Sequence, residues 1–307
     1  MMTRRAFVAG AALARLRADD EPRYRVGITT NTRGGWEKDV FLSFREAHEV
    51  GYRYVESFID YFGAYLDKPA ELLQKTDAIG VKFDTVSNGG HMEMHFEDSS
   101  KHEKILEEHM RLARFVKRLG CDHLKINTGP RRPGGTTAQD LKNMAAVLDM
   151  LGHRMGDETG LKFGVHAHMW TQLENRHEID TIMASTDPKH VGFVLDTGHI
   201  TMAGINPVEL ARALGHRIIE FHLKDTQPEH RGGAKQRRER NDAMKDPIFF
   251  ALGKGGVDFP TIKKQLDEIG WRGWLTVELD SSPSRPPKES ARISKNYVES
   301  TLGIKVS

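Results

Sequence analysis

Short apolar segments alternate with longer amphipathic segments along most of the chain. Eight apolar segments of five or six residues have the length and the β-branched or aromatic character of buried strands. They lie at residues 25–30, 54–58, 81–86, 123–127, 163–168, 191–195, 218–223 and 274–278. Because segments with helical periodicity separate them, the pattern predicts repeated strand–helix units.

Apolar stripes at helical spacing support three of the intervening helices. These stripes consist of Leu141, Met144, Ala145, Leu148 and Leu151, of Ile105, Leu112, Val116 and Leu119, and of Ile262, Leu266 and Ile269. Strands that alternate with helices pair in parallel through helical crossovers. Eight such strands favour an α/β fold with a single domain, a closed (β/α)8 or TIM barrel over residues 24–303. A doubly wound dinucleotide-binding sheet is disfavoured, because no Gly-x-Gly-x-x-Gly motif follows the first strand.

Polar residues stand where the predicted strands end. In a TIM barrel these carboxyl ends form the active-site face. They carry Glu56, Lys125, Asn127, His166, His168, Asp196, His199, His222, Lys224, Asp225, Glu278 and Asp280. Any one of them has an ordinary alternative as a helix cap or a hydrogen-bonded loop residue. Because imidazoles and carboxylates recur on four consecutive strands, we predict one divalent metal site, for Mn²⁺, Co²⁺, Mg²⁺ or Zn²⁺.

Composition and charge narrow the range of partners. Cys121 is the only cysteine, which excludes a disulfide framework and thiolate zinc clusters. Residues 1–18 contain four arginines and no acidic residue, so the net charge of +2 becomes −2 for the remaining 289 residues. This near-neutral body gives no basis for binding nucleic acid, and no apolar run is long enough to predict a membrane span.

The first eighteen residues are typical of an export signal. Arg4 and Arg5 precede a run of small and apolar residues at positions 6–14. The Arg-Arg-x-Phe pattern resembles a twin-arginine signal, a route that exports folded proteins. We therefore predict that residues 1–18 are a leader and that the protein is periplasmic or otherwise exported. The alternative is a basic N-terminus on a cytoplasmic protein.

Four sequence motifs resemble those of the xylose isomerase-like TIM-barrel superfamily. They are Asp-Thr-Gly-His at 196–199, Phe-His-Leu-Lys-Asp at 221–225, Gly-Lys-Gly-Gly-Val-Asp-Phe at 253–259 and Trp-Leu-Thr-Val-Glu at 274–278. That superfamily includes sugar phosphate isomerase/epimerases, ketose 3-epimerases, inosose dehydratases and the endonuclease IV repair enzymes. The combination is most similar to inosose dehydratases, which also share a His-x-His motif like that at 166–168.

The resemblance implies a role for each matching residue. It makes His166, Asp196, His222 and Glu278 the metal ligands and His199 a substrate-binding residue. It also implies that the adjacent pair Lys224 and Asp225 orients His222 or reaches the substrate. Glu56, at the end of the second strand, is a further candidate for substrate binding. This chain departs from many epimerases, which have a glutamate in the position of His166.

The predicted ligands suit the enolisation of a sugar, a keto-sugar or a cyclitol. A divalent ion chelates a carbonyl and its neighbouring hydroxyl, and a base then removes the α-proton to give an enediolate. His166 is a poor base if its lone pair is committed to the metal, so we assign proton removal to Glu278 and acid catalysis to His168 or His199. These roles favour dehydration or isomerisation over C3 epimerisation.

Two other functions and two other sequence features have open interpretations. A catalytically silent carbohydrate-binding barrel is one alternative, and an endonuclease IV-type phosphodiesterase, which needs clustered metals and a basic face, is another. Trp36 and Trp170 follow the first and fifth strands and either stack on a sugar or pack in the core. Residues 231–245 carry six basic side chains. They form either a solvated insertion or a lid or dimer arm of a homo-oligomer with a phosphate-binding arginine.

Overall fold

The computed structural model describes residues 22–236, 239–240 and 242–306. The predicted leader at residues 1–18 lies outside this part of the chain. The strands of the described residues are β1 (Tyr24–Thr29), β2 (Tyr54–Phe58), β3 (Lys82–Ser87), β4 (His123–Asn127), β5 (Lys162–His166), β6 (Val191–Asp196), β7 (Ile218–Leu223), β8 (Asp225–Thr226), β9 (Phe249–Phe250) and β10 (Gly273–Val277). All eight predicted strands are confirmed, with ends that differ by at most two residues.

Eight parallel strands form one sheet that curves into a nearly closed barrel. Its order is β3-β2-β1-β10-β7-β6-β5-β4. The two outer strands, β3 and β4, meet through side chains: Thr85 Oγ1 donates to the carbonyl of His123 at 3.0 Å. At the carboxyl ends, the Asn127 N–H donates to Asn88 Oδ1 at 2.7 Å, and Asn88 Nδ2 donates to the Asn127 carbonyl at 3.0 Å. The predicted TIM barrel is thereby confirmed.

Helices cover the outside of the barrel. They are α1 (Val40–Val50), α2 (Pro69–Ile79), α3 (His102–Arg118), α4 (Ala138–Thr159), α5 (Arg176–Ala184), α6 (Thr197–Met202), α7 (Pro207–Leu214), α8 (Phe259–Glu268) and α9 (Pro287–Ser300). Short 3-10 helices lie at Trp36–Lys38, Ile59–Tyr61, Gly63–Tyr65, Ser99–Lys101, Gly215–Arg217 and Pro228–Gly233. The predicted stripes on α3, α4 and α8 are buried against the strands, with one exception. Ile269, the residue that follows the end of α8 at Glu268, is 43% exposed.

A small antiparallel pair of strands, which the apolar pattern does not predict, lies beyond β7. Its strands β8 and β9 contain only two residues each. The Asp225 carboxylate accepts backbone N–H bonds from Gly253 and Gly255 at 2.9 Å and from Val257 at 3.1 Å. A Cβ at Gly255 would lie 1.6 Å from the carbonyl oxygen of Thr226, so this turn requires glycine there. Asp225 therefore folds the glycine-rich turn.

No helix in the described part of the chain has both the length and the apolar character needed to cross a membrane.

Candidate metal centre

Four side chains from four consecutive barrel strands converge at the carboxyl end of the barrel. His166 ends β5, Asp196 ends β6, His222 lies in β7 and Glu278 follows β10. Each offers one ligand atom, and these four atoms all lie within 4.8 Å of one another. All four side chains are buried. Parallel pairing produces this convergence: Asp196 is in register with His222, and Val277, next to Glu278, is in register with Leu223.

This group has the donors that a divalent transition metal requires. His166 Nε2 is buried, makes no hydrogen bond and lies 3.5 Å from Asp196 Oδ2. Burial, helped by the charge of Lys125, lowers the pKa of His166 to about 3. The imidazole is therefore neutral near pH 7 and has an available lone pair. Two imidazoles with two carboxylates are a donor set that suits Zn²⁺, Co²⁺ or Mn²⁺.

A chain of hydrogen bonds fixes the orientation of His166. Its Nδ1–H donates to Asn127 Oδ1 at 2.8 Å, so Nε2 carries the lone pair. Asn127 is held by Asn88, whose Nδ2 also donates to His109 Nε2 at 3.1 Å. His109 in turn donates from Nδ1 to the carbonyl of Ile105 at 2.8 Å. Because each donor meets an acceptor, this network specifies one tautomer of the His166 ligand.

A buried ion pair orients the second imidazole. His222 Nε2 lies 2.8 Å from Glu56 Oε2, and Lys125 Nζ lies 2.5 Å from the other oxygen of Glu56. The opposite nitrogen, His222 Nδ1, contacts Glu278 Oε2. Burial lowers the pKa of His222, but Glu56 and Glu278 outweigh it and raise that pKa well above its usual value. A cation that binds at Nδ1 must therefore displace a proton.

Lys224 neutralises the carboxylates of the cluster. Its buried Nζ lies 3.0 Å from Asp196 Oδ2, 3.3 Å from Glu278 Oε2 and 2.8 Å from Asp280 Oδ1. Burial raises the pKa of Glu278, but Lys224 and His222 overcome this effect and lower it to about 2. Asp196 also accepts the N–H of His199 at 2.8 Å and so caps α6. The cap is therefore one role of Asp196, and it leaves Oδ2 directed toward the cluster.

A cleft of about 650 Å³ opens onto this cluster. His166 and Glu278 are the two members of the cluster that line it, together with His168, Trp170 and Asp280. Phe58 and Phe249 add aromatic walls, so the cleft combines ring faces with ionisable groups. Such a mixture suits a small polar molecule that has both hydroxyl groups and a carbon skeleton.

Trp170 has an unusual backbone beside this cleft. With a φ of 66°, it is the one non-glycine residue with positive φ in the described ranges. Glu174 accepts the N–H of Trp170 at 2.8 Å, and the Arg131 N–H donates to its carbonyl at 2.8 Å. Strain of this kind persists where the surroundings hold it in place, and it is frequent at ligand sites. The indole lies 6.3 Å from the ring of His168, centroid to centroid.

Four residues that the sequence offers as possible substrate contacts do not line the cleft. Trp36 is buried in the core and donates from Nε1 to Glu46, so it does not face the cleft. Glu56 is buried beneath His222 and supports that imidazole instead of reaching a substrate. Lys224 is buried among the carboxylates, and Asp225 turns away to the glycine-rich turn, so neither lines the cleft. Packing around each side chain, rather than its place in a motif, produces these positions.

The rings of His168 and His199 lie against each other next to the cluster, with their planes inclined by 34°. Their ring centroids are 3.4 Å apart, and both nitrogens of the buried His199 lack a hydrogen-bond partner. Burial lowers the pKa of both histidines, and Lys224 adds to the effect. His168 donates from Nδ1 to the carbonyl of Met169, so its resting Nε2 accepts a proton and does not donate one. An acid role for His168 therefore requires it to take up a proton first.

Several residues of the site have no role that the sequence alone indicates. Lys125 and Asn127 are only part of a strand end in the sequence, although in the structure they support Glu56 and His166. Asp280 was likewise unassigned, although it lines the cleft and contacts Lys224. The spacing of Glu278 and Asp280, two residues apart, was the available signal for Asp280. Arg240, from the basic segment, also lines the cleft.

Comparisons with known proteins agree with this architecture. The sequence profile of the family described as "Xylose isomerase-like TIM barrel" matches residues 44–300. An inosose dehydratase from Geobacillus kaustophilus is 33% identical over 221 residues, which cover 66% of this chain and 71% of that protein. One from Clostridium botulinum is 36% identical over 165 residues, covering 52% of this chain and 54% of that protein. Against several such relatives the match spans only about half of the relative's length.

Solved structures share the fold at low sequence identity. The IolI protein with a bound zinc atom superposes with a TM-score of 0.71 at 20% identity, covering 91% of this chain and 98% of that one. An L-ribulose 3-epimerase gives a TM-score of 0.68 at 16% identity, covering 91% and 95%. At such identities the similarity shows a common barrel.

Proposed function

The chain belongs to the xylose isomerase-like TIM barrel family, and we propose that it is a metal-dependent enzyme that enolises a sugar, a keto-sugar or a cyclitol. The observation that carries this proposal is the lone pair of His166 Nε2, which is buried, unpartnered and directed into a group of three other ligand side chains. A buried imidazole nitrogen without a partner is costly unless a ligand completes it. The neighbouring inosose dehydratases, 3-epimerase and zinc-containing structure support the same class of chemistry.

His166, Asp196, His222 and Glu278 would hold the ion. Bound there, it would act as a Lewis acid on a carbonyl and an adjacent hydroxyl of the substrate. His166 and Glu278 line the cleft, whereas Asp196 and His222 lie behind them. The substrate therefore approaches from the side of His166 and Glu278, with Trp170 as the aromatic wall.

Glu278 is placed to take the proton from the carbon next to the carbonyl. Lys224 and His222 keep the pKa of Glu278 at about 2 despite its burial, so the side chain is a carboxylate at neutral pH. His168 is the second acceptor, because its Nε2 is unprotonated in the resting tautomer. After it receives a substrate proton, His168 has a proton to return to another carbon or to a departing hydroxyl. His199 is held against it and contacts Asp280 at 3.7 Å.

These positions favour isomerisation or dehydration over epimerisation at C3. Inversion at one carbon requires proton carriers on both faces of the planar intermediate. Where many epimerases have a carboxylate on the fifth strand, this chain has His166, whose Nδ1–H is committed to Asn127. The remaining carriers are Glu278 and the His168–His199 pair.

Solvent exchange in D₂O tests the proposal. Wild-type protein loaded with Mn²⁺ or Co²⁺ is incubated with a panel of keto-sugars and cyclitols, and deuterium incorporation is followed by NMR and mass spectrometry. We expect exchange at one carbon, its loss in Glu278→Gln at saturating metal, and its retention with slower product formation in His168→Ala. His216→Ala, at an exposed position, serves as the control.

Three results would contradict these assignments. Rapid C3 inversion by the wild type without dehydration or carbonyl transfer would exclude the proposed roles. Undiminished exchange in Glu278→Gln would exclude Glu278 as the base. Tight sugar binding without any exchange or turnover would favour a catalytically silent carbohydrate-binding barrel.

A further inference from the structure

A second group of metal-ligating side chains lies at the opposite end of the barrel. Asp149 and His153 are one turn apart on α4, and Asp187 and His190 lie in the turn that leads into β6. The strand β6 separates this turn from Asp196, which places the group on the order of 20 Å from the candidate metal centre. Nothing in the proposed reaction uses these residues.

We propose that His153, Asp187 and His190 bind a structural divalent ion of the Zn²⁺ class, with Asp149 completing the site. Ligand atoms of the first three residues lie within 4.8 Å of one another. His153 Nε2 is 3.6 Å from Asp187 Oδ2 and 3.7 Å from Asp149 Oδ2. Donor atoms bound to tetrahedral zinc at about 2.0–2.1 Å are separated by slightly less than these two distances, so His153 is already close to the spacing that zinc requires from each aspartate.

Two glycines of the helix that carries His153 leave the space that His190 occupies. The two imidazole rings lie 4.5 Å apart, centroid to centroid. Gly156 of α4 leaves room for His190: a Cβ there would lie 2.6 Å from Nδ1 of that ring. A Cβ added at Gly152 would similarly lie 3.1 Å from the Cβ of His190. Glycine weakens a helix interior, so these two residues reduce the stability of the helix but allow the close approach of His190.

The turn is already organised around the two aspartates. Asp149 Oδ1 accepts the N–H of Asp187 at 2.7 Å, and Asp187 Oδ1 accepts the N–H of Lys189 at 2.8 Å. The second oxygen of each carboxylate is the one that faces His153. Two negative charges beside two imidazoles favour a divalent cation.

An ion pair between His153 and the aspartates is the simpler interpretation of the same contacts. It explains His153 with the aspartates, but it does not explain the second imidazole placed beside it. Arg217, which interacts electrostatically with both aspartates, donates its hydrogen bonds to Thr186 and Met183 instead. Nitrogen donors select Zn²⁺ over Mg²⁺, which prefers oxygen ligands. A bound ion would tie α4 to the entry of β6 on the face of the barrel that serves stability.

Zinc stoichiometry of the full chain tests this site. Protein stripped with chelator is dialysed against buffered Zn²⁺ and assayed by elemental analysis, with Mg²⁺ in parallel. We expect the His153→Ala/His190→Ala variant to bind one zinc fewer than the wild type, whether or not the central site fills. His177→Ala/His216→Ala, which removes two exposed histidines elsewhere, should bind as many ions as the wild type.

A second variant leaves every ligand in place. Gly156→Ala should displace the His190 ring and weaken the affinity of the second ion at least tenfold, while the central site is unaffected. Zinc should also raise the unfolding temperature of a His166→Ala/His222→Ala variant, which lacks the two imidazoles of the central site, but not of the His153→Ala/His190→Ala variant. Equal stoichiometry in wild type and His153→Ala/His190→Ala, or loss of an ion in the exposed-histidine control, would overturn the proposal.

Discussion

The buried pair of Glu56 and Lys125 is expected to have two separable effects, one on stability and one on metal affinity. Glu56 is fully buried and joins Lys125 Nζ at 2.5 Å to His222 Nε2 at 2.8 Å. Glu56→Gln removes the charge but keeps the shape. Because Lys125 is then a buried cation without its carboxylate, we expect the free energy of unfolding to fall by about 3 kcal/mol.

Metal affinity should fall for a different reason. The carboxylate of Glu56 fixes the orientation of His222 and increases the basicity of the nitrogen that would bind the ion. Loss of such a partner weakens metal binding by about 10–100-fold, which corresponds to about 1.4–2.7 kcal/mol. Lys125 Nζ pairs with Glu56, and no hydrogen bond joins it to His222 in the described part of the chain, so its removal together with Glu56 should not restore that affinity.

A double-mutant cycle separates the two effects. Lys125→Met alone should also destabilise the protein, whereas Glu56→Gln/Lys125→Met should recover at least about 1 kcal/mol of the summed loss, since neither charge is left unpaired. Stability is measured by denaturant unfolding in chelator, and affinity by Zn²⁺ titration against a competing chelator. The exposed pair Lys68 and Glu71, 3.4 Å apart, is the control: its double variant should change stability by less than about 1 kcal/mol.

Two distinguishable results would contradict these expectations. A Zn²⁺ affinity of Glu56→Gln within twofold of the wild type would show that Glu56 does not support His222. Wild-type affinity in Glu56→Gln/Lys125→Met would show that an unpaired Lys125, and not the missing carboxylate, weakens binding in the single variant.

Three further predictions concern other parts of the chain. Burial lowers the pKa of His109 to about 4, below its unfolded value, so its contribution of about 3 kcal/mol is present above pH 6.5 and is lost as the pH falls toward 4. In chelator, stability between pH 4.5 and 7.5 should therefore change less in His109→Gln than in the wild type, and parallel curves would contradict this. Trp170→Ala should raise KM for the sugar about two- to tenfold without changing Zn²⁺ affinity, while Trp170→Phe stays close to the wild type; an unchanged KM would exclude stacking. We also propose that the leader directs export, so that replacing Arg4 and Arg5 with lysine leaves an uncleaved precursor in the cytoplasm; native protein found there and still beginning at Met1 would refute export.

The barrel and the meeting of its strand ends follow from local sequence. Apolar runs of five or six residues separated by amphipathic helices leave parallel pairing as the way to bury both faces of each strand. Parallel strands end on the same side, so His166, Asp196, His222 and Glu278 were predictable as neighbours without knowledge of any side-chain position. The pairing of β8 with β9 was not predictable in this way, because two residues carry no periodicity.

Tertiary packing alone decided what each polar side chain does at that face. In the sequence, Glu56, Lys125 and Lys224 are all polar residues at the ends of predicted strands. In the folded barrel, two of these become the buried pair beneath His222 and the third neutralises Asp196, Glu278 and Asp280. Trp36 and Trp170 likewise look alike in sequence, yet one fills the core and the other lines the cleft. Burial makes the difference, since a charge removed from water must find its partner among the side chains that other strands bring within about 3 Å.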